Sequence, residues 1–178
     1  TAGNAITNEK LQTIKVKTNI LFTAVTEIKE YTVTYKSDGN SSISPANETT
    51  TYKENPTGAV VTVNEGYNFI KWTANKDVEL TDGTTITKGE AISKEQLTKV
   101  IVESNLTFTA ITEIKEYKVK YESGTNGTIS GETEETISHG EKPTGVEIEA
   151  NEGYKFAGWQ ANKNINYTEN VYGDSEGD

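Results

Sequence analysis

Oxygen-rich side chains are the first candidates for chemistry in this sequence. Asp77, Glu79 and Asp82 fall close together, and Asp174, Glu176 and Asp178 alternate in a second cluster. Grouped carboxylates of this kind are what a calcium ion takes from a loop. Neither run has EF-hand spacing, and Asp77 is replaced by Asn164 in a second copy of the same segment, so both read as solvated loop charge. A carboxylate pair is also the apparatus of glycoside hydrolysis. Glu147 and Glu149 qualify by type, but they alternate along one strand and their counterparts are Val60 and Thr62, which makes them a strand face turned to water. The single histidine, His139, lies in Ser138-His139-Gly140 with no nucleophile elbow around the serine, and reads as a turn residue. Tyr67, Phe69 and Trp72 have the rings to stack on sugars, yet they recur in strand alternation as a core set would. Lysines and asparagines are numerous enough for an isopeptide crosslink, but no pair is singled out.

What is missing narrows the chemistry further. There is no cysteine, hence no disulfide framework, thiolate nucleophile or Cys-based metal site. One histidine excludes a His-pair zinc site and most His-dependent catalysis. The 17 cations are all lysine, and with 27 acids the net charge is −10. A chain without arginine lacks the fork that reads phosphate and guanine, and its negative charge repels both nucleic acid and anionic membrane. No run approaches the ~20 apolar residues of a membrane helix. The reading is no catalytic residue, no cofactor, no metal, no nucleic-acid partner and no membrane insertion. The chain starts at Thr1, without Met, and is expected to be cut from something longer.

The elements that would position any site come from a repeat. Glu27-Ile-Lys-Glu-Tyr31 recurs as Glu113-Ile-Lys-Glu-Tyr117, and Phe22-Thr-Ala24 as Phe108-Thr-Ala110, 86 residues on. Pro56-Thr-Gly58 recurs as Pro143-Thr-Gly145, Asn64-Glu-Gly-Tyr67 as Asn151-Glu-Gly-Tyr154, and Trp72 as Trp159, 87 residues on. One residue has been inserted between the two sets, in the polar loop after Tyr121. Ordered internal matches of this length mark a repeat architecture.

Repeated positions alternate as strands do. Tyr31, Val33 and Tyr35 share one face, as do Tyr117, Val119 and Tyr121. Ala59, Val61 and Val63 form the next strand, matched by Val146, Ile148 and Ala150. Asn-Glu-Gly is a turn in which Gly66 and Gly153 take positive φ. Beyond it, Tyr67, Phe69 and Trp72, with Tyr154, Phe156 and Trp159, break strict alternation and predict a bulge near Ile70. Ser93-Lys-Glu-Gln96 has the form of a capping box, opening a helix of about ten residues whose Leu97 and Val100 share a face. Its earlier copy begins at Thr7 and carries Leu11 and Ile14, with Lys10 in place of the boxing Gln and hence a weaker cap. Leu106, Phe108 and Ala110 form the last strand, and its copy centres on Phe22 and Ala24. The large residues of both copies are the expected core.

Two registers fit. In one, 29–114 is a complete repeat, 1–28 the helix and last strand of a preceding repeat, and 115–178 the leading half of a following one. In the other, two permuted helix-first modules span 1–83 and 84–178. Lys29-Glu30 lacks the Gly, Asn or Asp of a two-residue hairpin and reads as an extended connector, which favours the first. Under it, the half at 1–28 is expected to complete the half at 117–178, within the chain or between chains.

The sequence Tyr-x-Val-x-Tyr, then Gly-Tyr-x-Phe-x-x-Trp, then a strand with Phe-Thr-Ala resembles the internalin B-repeats and the related Listeria–Bacteroides repeats of bacterial surface proteins. Here the pattern is carried by Tyr31, Val33, Tyr35, Gly66, Tyr67, Phe69, Trp72, Phe108, Thr109 and Ala110. The second copy carries Tyr117, Val119, Tyr121, Gly153, Tyr154, Phe156 and Gly158-Trp159. Lys71 stands where the family has glycine before the tryptophan. The resemblance implies an α+β, β-grasp-like (ubiquitin-like) unit, a mixed sheet with one helix packed across it. It further implies a secreted, wall-attached Gram-positive protein in which neighbouring repeats form a stalk or adhesive array without catalysis. A host glycoprotein, immunoglobulin or glycan is the partner of an alternative, ligand-binding reading.

Overall fold

A computed structural model describes residues 3–163. Asn164, Asp174, Glu176 and Asp178 lie outside the described residues. The chain divides into two units between Lys115 and Glu116.

The first unit opens with α1 (Asn8–Leu11), followed by β1 (Glu30–Ser37), β2 (Ser41–Ser44), β3 (Asn47–Thr51), β4 (Val60–Val63) and β5 (Tyr67–Ala74). Then come β6 (Val78–Glu79), β7 (Thr85–Ile86), α2 (Lys94–Leu97) and β8 (Leu106–Ile114). The main sheet has the order β3-β1-β8-β5. β1 and β8 are parallel, with Val33 opposite Leu106 and Ser37 opposite Ala110, while β3 and β5 flank them antiparallel. β2 pairs with β4, and β6 with β7. The β5–β8 register slips between Phe69 and Lys71, the bulge that the aromatic spacing predicts. Gly66 takes φ +83° in the turn before it.

Alternation fixes what goes inside. Val33, Tyr35, Trp72, Leu97, Val100, Leu106 and Phe108 are buried, and Tyr31, Val61 and Phe69 pack half-buried against them. Tyr67 is half-buried at the head of β5. Ala74, Val78, Leu80, Ile86, Ile92, Val102 and Ala110 complete the core.

The expected β-grasp-like α+β unit does not form. Strands dominate, arranged in several small sheets, and no helix lies across the main one. α2 is a single turn of four residues, of which only Leu97 is buried. Its cap is as predicted: Ser93 Oγ accepts from the Gln96 amide at 3.2 Å, and Gln96 Oε1 accepts from the Ser93 amide at 2.8 Å. The helix stops because Thr98, Val100, Ile101 and Val102 are β-branched and lose χ1 freedom in a helix. They run extended instead. Val100 bridges Leu80, and the Ile101 amide donates to Glu79 O at 2.8 Å. α1 has only half a box, the Lys10 amide donating to Thr7 Oγ1 at 3.3 Å. The strand expected around Phe22 and Ala24 is also not formed. Residues 20–29 have no strand partner and are exposed.

The second unit holds β9 (Glu116–Lys120), β10 (Gly127–Ser130), β11 (Glu134–Ser138) and β12 (Glu147–Ala150). β9 pairs with β11 and β10 with β12, repeating the β1–β3 and β2–β4 ladders of the first unit. Residues 154–160, equivalent to β5, form no strand. The reason is visible in the first unit, where β8 is the only strand laddered to β5. With no equivalent of β8 among the described residues of this unit, the backbone at 154–160 has no ladder to join. The core expected here is correspondingly open. Val119, Tyr121 and Ile148 are half-buried, whereas Tyr117, Tyr154, Phe156 and Trp159 are exposed, Trp159 at 48%.

Candidate functional site

Two arrangements recur in both units and are specific enough to be built rather than incidental. The first is a carboxylate held by four donors. Glu48, on β3, accepts from the Tyr35 hydroxyl on β1, from the Thr57 hydroxyl, from the Thr57 amide at 3.0 Å and from the Gly58 amide at 3.1 Å. Glu135, on β11, repeats it with the Tyr121 hydroxyl, the Thr144 hydroxyl at 2.6 Å and the Thr144 amide at 3.0 Å. Burial works against the charge of Glu48, but the donors, led by the Thr57 and Tyr35 hydroxyls, outweigh it and hold its pKa below the usual value. At Glu135 the Thr144 and Tyr121 hydroxyls bring it down to about 2. Burial, then the adjacent carboxylate, pushes the Tyr35 phenol up.

A carboxylate saturated in this way is no acid, base or nucleophile. It pins the Pro-Thr-Gly loop to two strands. Sequence reasoning missed it, although Tyr35, Glu48 and Pro56-Thr-Gly58 recur intact as Tyr121, Glu135 and Pro143-Thr-Gly145, and that joint recurrence was the signal available.

The second arrangement is aromatic. In the first unit Trp72 meets Tyr35 edge-on at 5.6 Å and Phe69 at 5.8 Å, and Phe108 of β8 stacks on Tyr35 at 6.0 Å. In the second unit Trp159 lies 5.4 Å from Tyr121 and 5.6 Å from Phe156, at nearly the same interplanar angles. The trio is thus set in one geometry twice. In the first unit it is sealed, with Trp72 fully buried. In the second it lines a groove of about 550 Å³ together with Tyr154 and Ile148. Trp72 therefore offers no platform to a sugar, and Glu122 is the one acid lining the groove at Trp159.

The remaining candidates do not converge. Asp77 accepts from the Lys88 amide and Asp82 from the Thr84 amide, both as loop-shaping contacts, and Glu79 is exposed. No set of three potential metal ligands gathers among the described residues. Glu147 and Glu149 point outward from β12. His139 precedes Gly140 at φ +84° and lies 6.1 Å from the Tyr117 ring, as a turn residue. Asn55, Asn75 and Asn105 bond backbone groups. Lys118 and Lys120 both pair with Glu134, at 2.6 and 3.1 Å on the surface, where such pairs contribute little.

Comparison with known proteins agrees with this architecture of doubled, site-poor units. Residues 31–111 match the Listeria–Bacteroides repeat domain, and residues 117–172 match the divergent InlB B-repeat domain. The chain belongs to the Listeria–Bacteroides and InlB B-repeat families. These B-repeats are a repeat-domain family of bacterial surface-type proteins. A protein of Evansella cellulosilytica named "Putative Gly-rich membrane protein" is 32% identical over 152 residues, 85% of this chain but 16% of that protein's length. No solved structure matches the B-repeat chain. Among the described residues no helix is long and apolar enough to cross a membrane.

Proposed function

We propose that this chain is a mechanical spacer in a bacterial cell-surface protein, attached at the cell wall, projecting an adhesive part and performing no catalysis. The observation that carries this reading is the parallel ladder between β1 and β8. β1 is where the chain enters the complete unit and β8 is where it leaves. Glu30 lies three positions before Val33, and Ile114 eight positions after its partner Leu106. Entry and exit are therefore about 36 Å apart along the sheet at ~3.3 Å per residue.

Tension applied through the chain would pull two adjacent parallel strands in opposite directions. The five register pairs from Val33–Leu106 to Ser37–Ala110 would then be loaded together, in shear. A hairpin pulled from its open end breaks its bonds one at a time instead. Shear loading, a sealed aromatic core beneath the ladder and a carboxylate pinning the adjacent loop all suit a unit that holds shape under tension. The saturated carboxylates and the absence of a converged acid cluster among the described residues support a non-catalytic role.

Single-molecule pulling tests it. The chain is free of cysteine, so handles can be placed by substitution. Handles at Lys29→Cys and Lys115→Cys load β1 against β8. Handles at Glu30→Cys and Thr51→Cys peel β1 from β3, whose ends face each other. The first pair is expected to need a several-fold larger unfolding force. Equal forces in the two geometries would sink the spacer reading.

A further inference from the structure

We propose that the open groove of the second unit is the docking site for residues 5–28 of another copy of this chain, so that copies join head to tail. The inference is separate from the spacer reading, since assembly does not require that the array bear load.

The first unit shows what fills the groove. There Ile92, Leu97, Val100, Val102, Leu106 and Phe108 cover the face made by Val33, Tyr35 and Trp72, and all are buried. Eighty-six residues earlier stand Ile6, Leu11, Ile14, Val16, Ile20 and Phe22, apolar at every position and exposed at every position. The receiving face is equally preserved, as Val119, Tyr121 and Trp159, with its aromatic geometry already set. The chain thus carries one covering half without a face and one face without its cover, each in the described residues.

Backbone groups match as well as side chains. β9 has one free edge and residues 154–160 have no ladder, the two places where β8 bonds in the first unit. Transferring the first unit's register puts Ile20 opposite Val119 and Phe22 opposite Tyr121 in parallel. It puts Ala24 opposite Trp159 in antiparallel. Asn105 Oδ1 accepts from the Thr32 amide at 2.9 Å in the first unit, and Asn19 stands ready to do the same for Lys118.

The occupant is a second copy because the junction already exists. Glu27-Ile-Lys-Glu-Tyr31 and Glu113-Ile-Lys-Glu-Tyr117 are identical, so a composite unit would join the next complete unit through a link that this chain already contains. Such an interface is heterologous and does not close on itself, so growth continues past the dimer.

The test uses sedimentation and crosslinking of the whole chain. Mass is expected to rise with concentration in steps of 19.5 kDa without stopping at two. Phe22→Glu, at a position exposed in the free chain, should weaken association more than about tenfold, because a charge would enter an apolar core. Thr23 and Glu122 correspond to Thr109 and Lys36, which face each other across the parallel ladder. A Thr23→Cys chain mixed with a Glu122→Cys chain should therefore form a mixed disulfide, and Thr23→Cys mixed with Glu147→Cys should not. A chain that stays monomeric at every soluble concentration overturns the proposal. So does a Thr23→Cys/Glu122→Cys double variant that crosslinks only within itself, which would mean self-closure.

Discussion

Phe22 and Phe108 occupy the same sequence context, Phe-Thr-Ala, and differ in surroundings. Phe108 is fully buried against Tyr35, and Phe22 is 49% exposed. Truncating each to alanine separates what the residue is from where it sits. Phe108→Ala removes a ring from a sealed core and leaves a cavity, a loss of about 3–5 kcal/mol. A unit of this size has perhaps 4–13 kcal/mol in total, at roughly 0.05–0.15 per residue. Phe22→Ala in dilute protein, where no second copy covers it, should cost within about 0.5 kcal/mol. Urea unfolding followed by Trp72 fluorescence, in a Trp159→Phe background, reads both. With a slope of about 2 kcal/mol per molar, Phe108→Ala should lower the midpoint by about 2 M, and Phe22→Ala should leave it in place. If the two variants shift equally, or Phe108→Ala leaves the midpoint unmoved, the assignment of a closed first unit and an uncovered leading segment is wrong.

The pinned carboxylates make stability depend on pH. Their folded pKa values lie below the unfolded ones, so their contribution is full above about pH 4.5 and is lost as pH falls through the folded values. Melting temperature should therefore drop on acidification below pH 4.5, and Glu48→Gln should flatten that limb for the first unit. Tyr35 is shifted the other way: its contribution is full below pH 10 and is lost as pH rises further, so Tyr35→Phe should reduce alkaline unfolding in a pH titration of circular dichroism. Ser93→Ala removes one bond of a complete capping box and should cost about 0.5–2 kcal/mol by denaturant titration, whereas Thr7→Ala, on a half box in an exposed segment, should leave the transition of the first unit unchanged. Gly66→Ala forces a side chain into φ +83° and should cost about 1–2 kcal/mol in the same assay.

Alternation and turn chemistry carried most of what could be read from residues alone. Tyr31, Val33 and Tyr35, the Gly66 turn, the bulge at Ile70 and the box at Ser93 are all local signals, and each is present in the fold. β2 and β3 escaped because Ser41–Ser44 and Asn47–Thr51 are mostly polar and show no apolar period. The helix was read too long because Leu97 and Val100 fit a helical spacing, while the β-branched run that ends it favours bridging Leu80, a residue far away in sequence. The Glu48 clamp is a hydrogen-bonding pattern spread over residues 35–58, which hydrophobic periodicity cannot register. Burial of the second aromatic set was unreadable for a different reason. Phe156 and Trp159 are identical in type to Phe69 and Trp72, and what differs is whether a distant strand covers them.

The adjacency of β1 and β8 also governs how such a chain is made on the ribosome. β5 ends at Ala74, and β8, which seals the sheet, ends only at Ile114. At about 5–20 residues per second, the aromatic face waits roughly 2–8 s for its lid. The first lid to emerge from the exit tunnel is always the one that belongs to the face already waiting, because the next face is translated later. Order of translation thereby sorts near-identical halves into correct pairs, and refolding a full-length array from denaturant, where every face and lid competes at once, loses that ordering.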